Sequence, residues 1–253
     1  MLPHLVTAEL FSVLLVFGRI GAALMLVPGF GEHYVLARLR LLIALAVSVL
    51  LAPTLKARLP AMPVEPLGLA ALIAGEVVLG LMLGVLCRLV MAAVHVGGTV
   101  IAMQSGLAAA AFFDPAEATQ GTLPGNFIAV LVLTLLFTTG LYRELMLSLA
   151  ASYGVLPAGA GLPSGDLARA LLGLVSEAFG VALRMAAPLV VAGLLVNLAL
   201  GALNRLVPSF QVFFVSMPVQ LLLSLALLLV SLVAVAHLAL EILERTLRLI
   251  GGV

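Results

Sequence analysis

Tryptophan is absent from this chain, and cysteine occurs once, at Cys87. A single thiol excludes an intrachain disulfide framework, and without tryptophan any aromatic belt at a membrane interface is thin. Charge is scarce as well. Only 9% of the 253 residues are charged, with 12 Lys and Arg against 11 Asp and Glu, for a net charge of +1. Soluble domains carry about 25% charged residues, so a soluble enzyme and a disordered chain are both excluded. The near-neutral balance leaves no basic footprint for nucleic acid. His4, His33, His95 and His237 stand apart, with no HExxH or HxxxH spacing. Cys87 has no histidine nearby, Ser105-Gly106 lacks a GxSxG frame, and neither a P-loop nor a dinucleotide fingerprint occurs. No catalytic residue, metal set or cofactor site is therefore assigned, and no enzyme is expected. Met1 to Leu10 has neither Lys nor Arg ahead of the apolar stretch, which argues against a cleaved signal peptide.

What is present in abundance is apolar length. Hydrophobic residues make up 64% of the chain, and the mean hydropathy is +1.33. One core of this size could not cover so much apolar surface, so the chain is read as a membrane-associated, all-α protein of about six to eight long, kinked helices. Its runs are Ala8 to Val27, Leu39 to Ala52 (closed by Pro53), Leu67 to Phe113, Asn126 to Tyr153, Asp166 to Leu206 (interrupted by Pro188) and Met217 to Leu249. Continuous apolarity without alternation speaks against strands. The third run would measure roughly 70 Å as one helix, more than twice a bilayer core of about 30 Å. The run is therefore expected to bend or break, at Arg88 or at Gly97-Gly98. Asp114 to Gly125 and Gly154 to Gly165, rich in Pro and Gly, read as loops.

Charge inside such runs needs a partner. Arg19, Glu76, Arg88, Glu177 and Arg184 each lie within an apolar stretch, where an ionised group at the bilayer centre costs about 2.5–3.5 kcal/mol on insertion scales. They read as ion pairs within or between subunits, or as an ion or proton pathway. Asp166, Glu177 and Arg184 share one helical face, with Arg169 and Ser176 beside it; Arg88, His95 and Thr99 share another. Gly80 and Gly84 form a GxxxG step that permits close helix approach. On the last run, Ser216, Gln220, Ser224, Ser231, His237, Glu241, Arg245 and Arg248 fall in a sector about 140° wide. Glu241 with Arg245 and Glu244 with Arg248 are spaced as i,i+4 pairs. Ser216 ahead of Met217-Pro218 is placed to cap that helix. The stripe suits a partner subunit or a wet channel; scattered polar residues on a plain membrane helix are the alternative.

Three blocks resemble the FliR family of flagellar export-gate proteins, whose injectisome relatives are the SctT proteins. They are RIGAALMLVPGFGEHYVLARLRLLIALAVSVLLAP from Arg19 to Pro53, GEVVLGLMLGVLCRLVMAAVHVGGTVIAMQSGLAAAAFFDP from Gly75 to Pro115, and VNLALGALNRLVPSFQVFFVSMPVQ from Val196 to Gln220. The resemblance implies one FliR-like domain over 1–253. Residues to about 163 would be a FliP-like part, and about 164–253 a FliQ-like helical hairpin. It also implies a non-enzymatic subunit of the export pore, in the multi-pass inner membrane of the flagellar basal body. One copy would join FliP and FliQ, with FlhB and FlhA adjacent, membrane lipid around it and unfolded flagellar subunits as cargo. An injectisome gate subunit and a stand-alone secondary transporter are the alternatives. By position, the family's pore plug corresponds to about Gly106 to Gly125, with Leu107, Phe112 and Phe113 as its bulky apolar members. The alternative is that the two phenylalanines simply finish a helix. Many relatives carry a lysine where this chain has Gln220, so no positive charge is assigned there.

Overall fold

The apolar runs fold as helices, because only a helix satisfies every backbone N–H and C=O within the run itself. The computed structural model describes residues 2–32, 34–107, 121–160, 164–206 and 212–252, and no strand occurs among them. Helix α1 spans Leu2–Val16, a π-helical turn Phe17–Gly21, α2 Ala22–Leu24, α3 Ala37–Leu55, and a 3-10 turn Lys56–Arg58 follows it. Then come α4 (Pro66–Gln104), α5 (Leu123–Thr138), α6 (Leu141–Val155), α7 (Ser164–Leu206) and α8 (Val212–Gly251). By length and composition, four helices among the described residues could cross a membrane, or five if the bent α5–α6 pair is one span.

Two compact units share these helices. The first comprises Met1–Leu89, Leu136–Leu174 and Leu243–Val253; the second comprises Val90–Leu135 and Val175–Ile242. In the first, Val16, Ile20 and Leu24 pack with Ala44, Ala52, Leu55 and Tyr153. Small side chains face inward on α3, where Ala44, Ser48 and Ala52 are buried at helical spacing. The GxxxG step of α4 makes the closest approach. A Cβ on Gly80 would sit 2.1 Å from the Arg19 carbonyl oxygen, and one on Gly84 would sit 2.8 Å from that of Ala23. In the second unit, Gly98 of α4 meets Gly125 of α5, Gly97 meets Ala182 of α7, and the Gln104 side chain lies on Gly193. Near the end of α7, Asn197 accepts a hydrogen bond from Gln220, near the start of α8, at 2.9 Å.

Several expectations change. Helix α4 runs unbroken through Arg88 and Gly97-Gly98 to Gln104; those glycines mark where neighbours press on the rod. Conversely, the fourth run divides. Gly140 adopts φ +79°, and α5 and α6 meet at 76°. Thr138-Thr139-Gly140 is a C-terminal stop signal, with glycine taking the left-handed conformation that other residues resist. Pro53 and Pro188 each lie inside a helix that continues past them. Ser216 is no N-cap, because α8 begins earlier, at Val212.

Candidate functional site

Arg19 lies in the π-helical turn, flanked by Gly18 and Gly21. Such turns hold one extra residue per turn and recur at functional positions. Its side chain points inward, where Glu76 on α4 receives it. Nε donates to Oε2 at 2.6 Å and one terminal nitrogen donates to Oε1 at 3.0 Å, so the pairing is bidentate. The other terminal nitrogen donates to the Leu156 carbonyl at 2.8 Å and to Ser152 Oγ at 3.4 Å. Below the guanidinium lies the Tyr153 ring, 3.9 Å from Arg19 Cζ to its centroid. Arg19 is 0% and Glu76 1% exposed, so the charges are compensated by each other and by α6, without bulk solvent. A planar fork on a carboxylate and over an aromatic face is an arrangement that lysine could not reproduce. The Tyr153 hydroxyl is buried with no hydrogen-bond partner among the described residues.

The glycines explain how this cluster can be buried. Helix α4 approaches the π turn at backbone distance because Gly80 has no side chain, and a Cβ on Gly18 would stand 3.4 Å from Glu76 Cβ. Beside Glu76, a groove of about 380 Å³ is lined by Gly68, Ala71, Leu72, Gly75, Leu79 and Gly159.

The other sequence candidates are not brought into this cluster. Arg88 and Arg184 are exposed and form no ion pair among the described residues. Glu177 is half-buried on α7. His95 is exposed on the face of Arg88, and its carbonyl accepts from Thr99. Along α8, Gln220, Ser224 and Ser231 are half-buried, while Glu241 and Arg245 are exposed. Ser231 turns its hydroxyl back onto the Leu227 carbonyl. Glu244 and Arg248 do not pair as expected. Both line a groove of about 510 Å³ with Leu141, Glu144, Ser148 and Leu247, and two solvated long side chains gain only about 0.3–0.5 kcal/mol by pairing. Leu107 is half-buried just past Gly106, which takes φ +75°. Phe112 and Phe113 lie outside the described residues. Sequence reasoning missed Ser152, Tyr153 and the Leu156 carbonyl; the one available signal was a serine-tyrosine pair closing an apolar run.

Comparison with known proteins bears on what this architecture is for. The family model described as "Bacterial export proteins, family 1" matches residues 10–246. The chain belongs to that family. This bacterial export protein is 34% identical to the flagellar biosynthetic protein FliR of Caulobacter vibrioides, over 90% of this chain and 91% of the relative. It is 30% identical to the FliR of Escherichia coli strain K12, over 83% and 80%. A Yersinia pestis relative named Yop proteins translocation protein T is 27% identical over 87% and 85%.

Proposed function

We propose that this bacterial export protein is a structural subunit of the flagellar type III export gate, in the multi-pass inner membrane of the basal body. It helps to form and close the pore through which unfolded flagellar subunits leave. The observation that carries the reading is the uneven cover of its long helices. The most apolar stretch is 56% buried in α4 but only 17% in α7 and in α8. At about 1.5 Å per residue, α7 and α8 would be roughly 60 Å long, twice a bilayer core. Apolar surface of that length calls for sister proteins. The partners proposed are FliP and FliQ, with one FliR-like copy in the gate, and FlhB and FlhA next to it. The α7–α8 pair is the FliQ-like hairpin, about 164–253, and the chain before it is the FliP-like part. The flagellar assignment over an injectisome one is supported by the higher identity to the FliR proteins of Caulobacter vibrioides and Escherichia coli than to the Yersinia pestis translocation protein.

Within this reading, Arg19 and Glu76 form an internal tie that fixes the first unit. Exposed Arg88 and Arg184 and half-buried Glu177 face neighbouring subunits, as do Gln220, Ser224, Ser231, Glu241 and Arg245. Leu107, Phe112 and Phe113 form the plug: apolar side chains in a narrow conduit exclude water and thereby ions. The test is co-expression of the tagged chain with FliP and FliQ. One large complex should co-purify, and a monodisperse monomer that binds neither would refute the assignment.

A further inference from the structure

We propose that the outer face of α3 is the surface this chain turns to lipid, with anionic phospholipid headgroups at its two basic ends. The proposal rests on the first unit alone and does not depend on the gate assignment. From Arg38 to Lys56 the helix is roughly 27 Å long, close to the hydrocarbon core of about 30 Å. Helices α4, α7 and α8 are each far longer. Arg40 donates to the Glu32 and Val35 carbonyls and Lys56 is paired with Glu9, which leaves exposed Arg38 at one end of α3 and exposed Arg58 at the other, where long basic side chains reach the headgroup level while their stems stay apolar.

The two faces of α3 differ in kind. Its small residues Ala44, Ser48 and Ala52 are turned inward against the chain's own helices, which is where close packing in membranes uses them. The outward sector carries Leu42, Leu45, Val49 and Leu50, all well exposed and all branched aliphatic. Between Arg40 and Lys56 the only polar side chains are Ser48 and Thr54, and both are already satisfied within the helix. Ser48 Oγ donates to the Ala44 carbonyl at 2.6 Å and Thr54 Oγ1 to the Leu51 carbonyl at 2.8 Å. Nothing on this face offers a hydrogen bond to a protein partner, and nothing on it needs water. Bulky aliphatics with no open donor or acceptor, bounded by cations at bilayer spacing, fit acyl chains and acidic headgroups.

The test places nitroxides by cysteine substitution, one at a time, at Leu42, Leu45, Val49 and Leu50. The background is Cys87→Ala, and the full chain is kept in membranes from cells that make the whole export apparatus. Each label should collide freely with oxygen and poorly with a water-soluble nickel chelate, and immersion depth should peak near Ser48. Low access to both reagents would mean protein cover, and high access to the chelate would mean water; either overturns the lipid assignment. For the headgroups, the wild-type chain and an Arg38→Gln/Arg58→Gln variant go into phosphatidylcholine vesicles containing spin-labelled phosphatidylglycerol. The variant should immobilise several-fold less of the labelled lipid, and equal immobilisation would overturn the headgroup part.

Discussion

Arg19 and Glu76 contribute through each other. A bidentate pair with no exposure offsets the desolvation of both ions, whereas a lone ion in that position has no compensation. Removing one member of a buried pair costs about 3–5 kcal/mol, while replacing both with apolar residues is often neutral. Glu76→Leu or Arg19→Met alone should therefore sharply lower the amount of folded chain recovered from membranes. The double variant should recover more than either single one, since neither then strands a charge. Quantitative immunoblotting of detergent-soluble chain checks this, and two harmless single variants would show that the pair holds nothing together. The sequence made Arg19 and Glu76 visible because charge is rare in apolar runs. It could not reveal that they pair, because 56 residues separate them and the register depends on Gly80 fitting under the Arg19 carbonyl. Tyr153 was invisible as a partner because its role is a ring face, which carries no spacing signal.

At the scale of elements, helix identity was legible and helix endings were less so. The all-α class follows from unbroken apolarity, yet two punctuation marks misled. Gly97-Gly98 looked like a bend or break in α4; the helix is continuous there and the glycines make a flattened contact, since a Cβ on Gly98 would stand 2.2 Å from Gly125 Cα. Thr139-Gly140 was passed over within a long run and is the elbow between α5 and α6. Glycine serves both purposes, and only tertiary contact distinguishes them. The segment that follows α4 carries the plug proposal. Gly106 at its near end has φ +75° and Gly121 at its far end φ +93°, backbone angles that non-glycine residues resist. Replacing Phe112 and Phe113 with Gly should make cells leak small ions while protein export continues. Ion-selective electrodes and filament length give the two readouts, and unchanged permeability would remove the plug role from these residues.

For the whole molecule, the sequence conveyed apolar excess but not where it would be left uncovered. Coverage depends on which helix packs on which, and the structure shows it concentrated on α4 and sparse on α7 and α8. Each buried apolar side chain contributes about 1.5–3 kcal/mol relative to exposure, so the isolated chain forgoes much of the stabilisation that an assembly supplies. On the gate proposal, its half-life should fall several-fold in cells lacking the proposed partners FliP and FliQ, measured by pulse–chase; equal persistence would show that the lone chain is self-sufficient. The sparse cover of α7 and α8 also bears on supply inside the cell. An orphan copy offers quality-control proteases two long greasy rods, so output of this polypeptide has to keep step with that of its neighbours. Excess translation would then yield turnover rather than additional secretion machines.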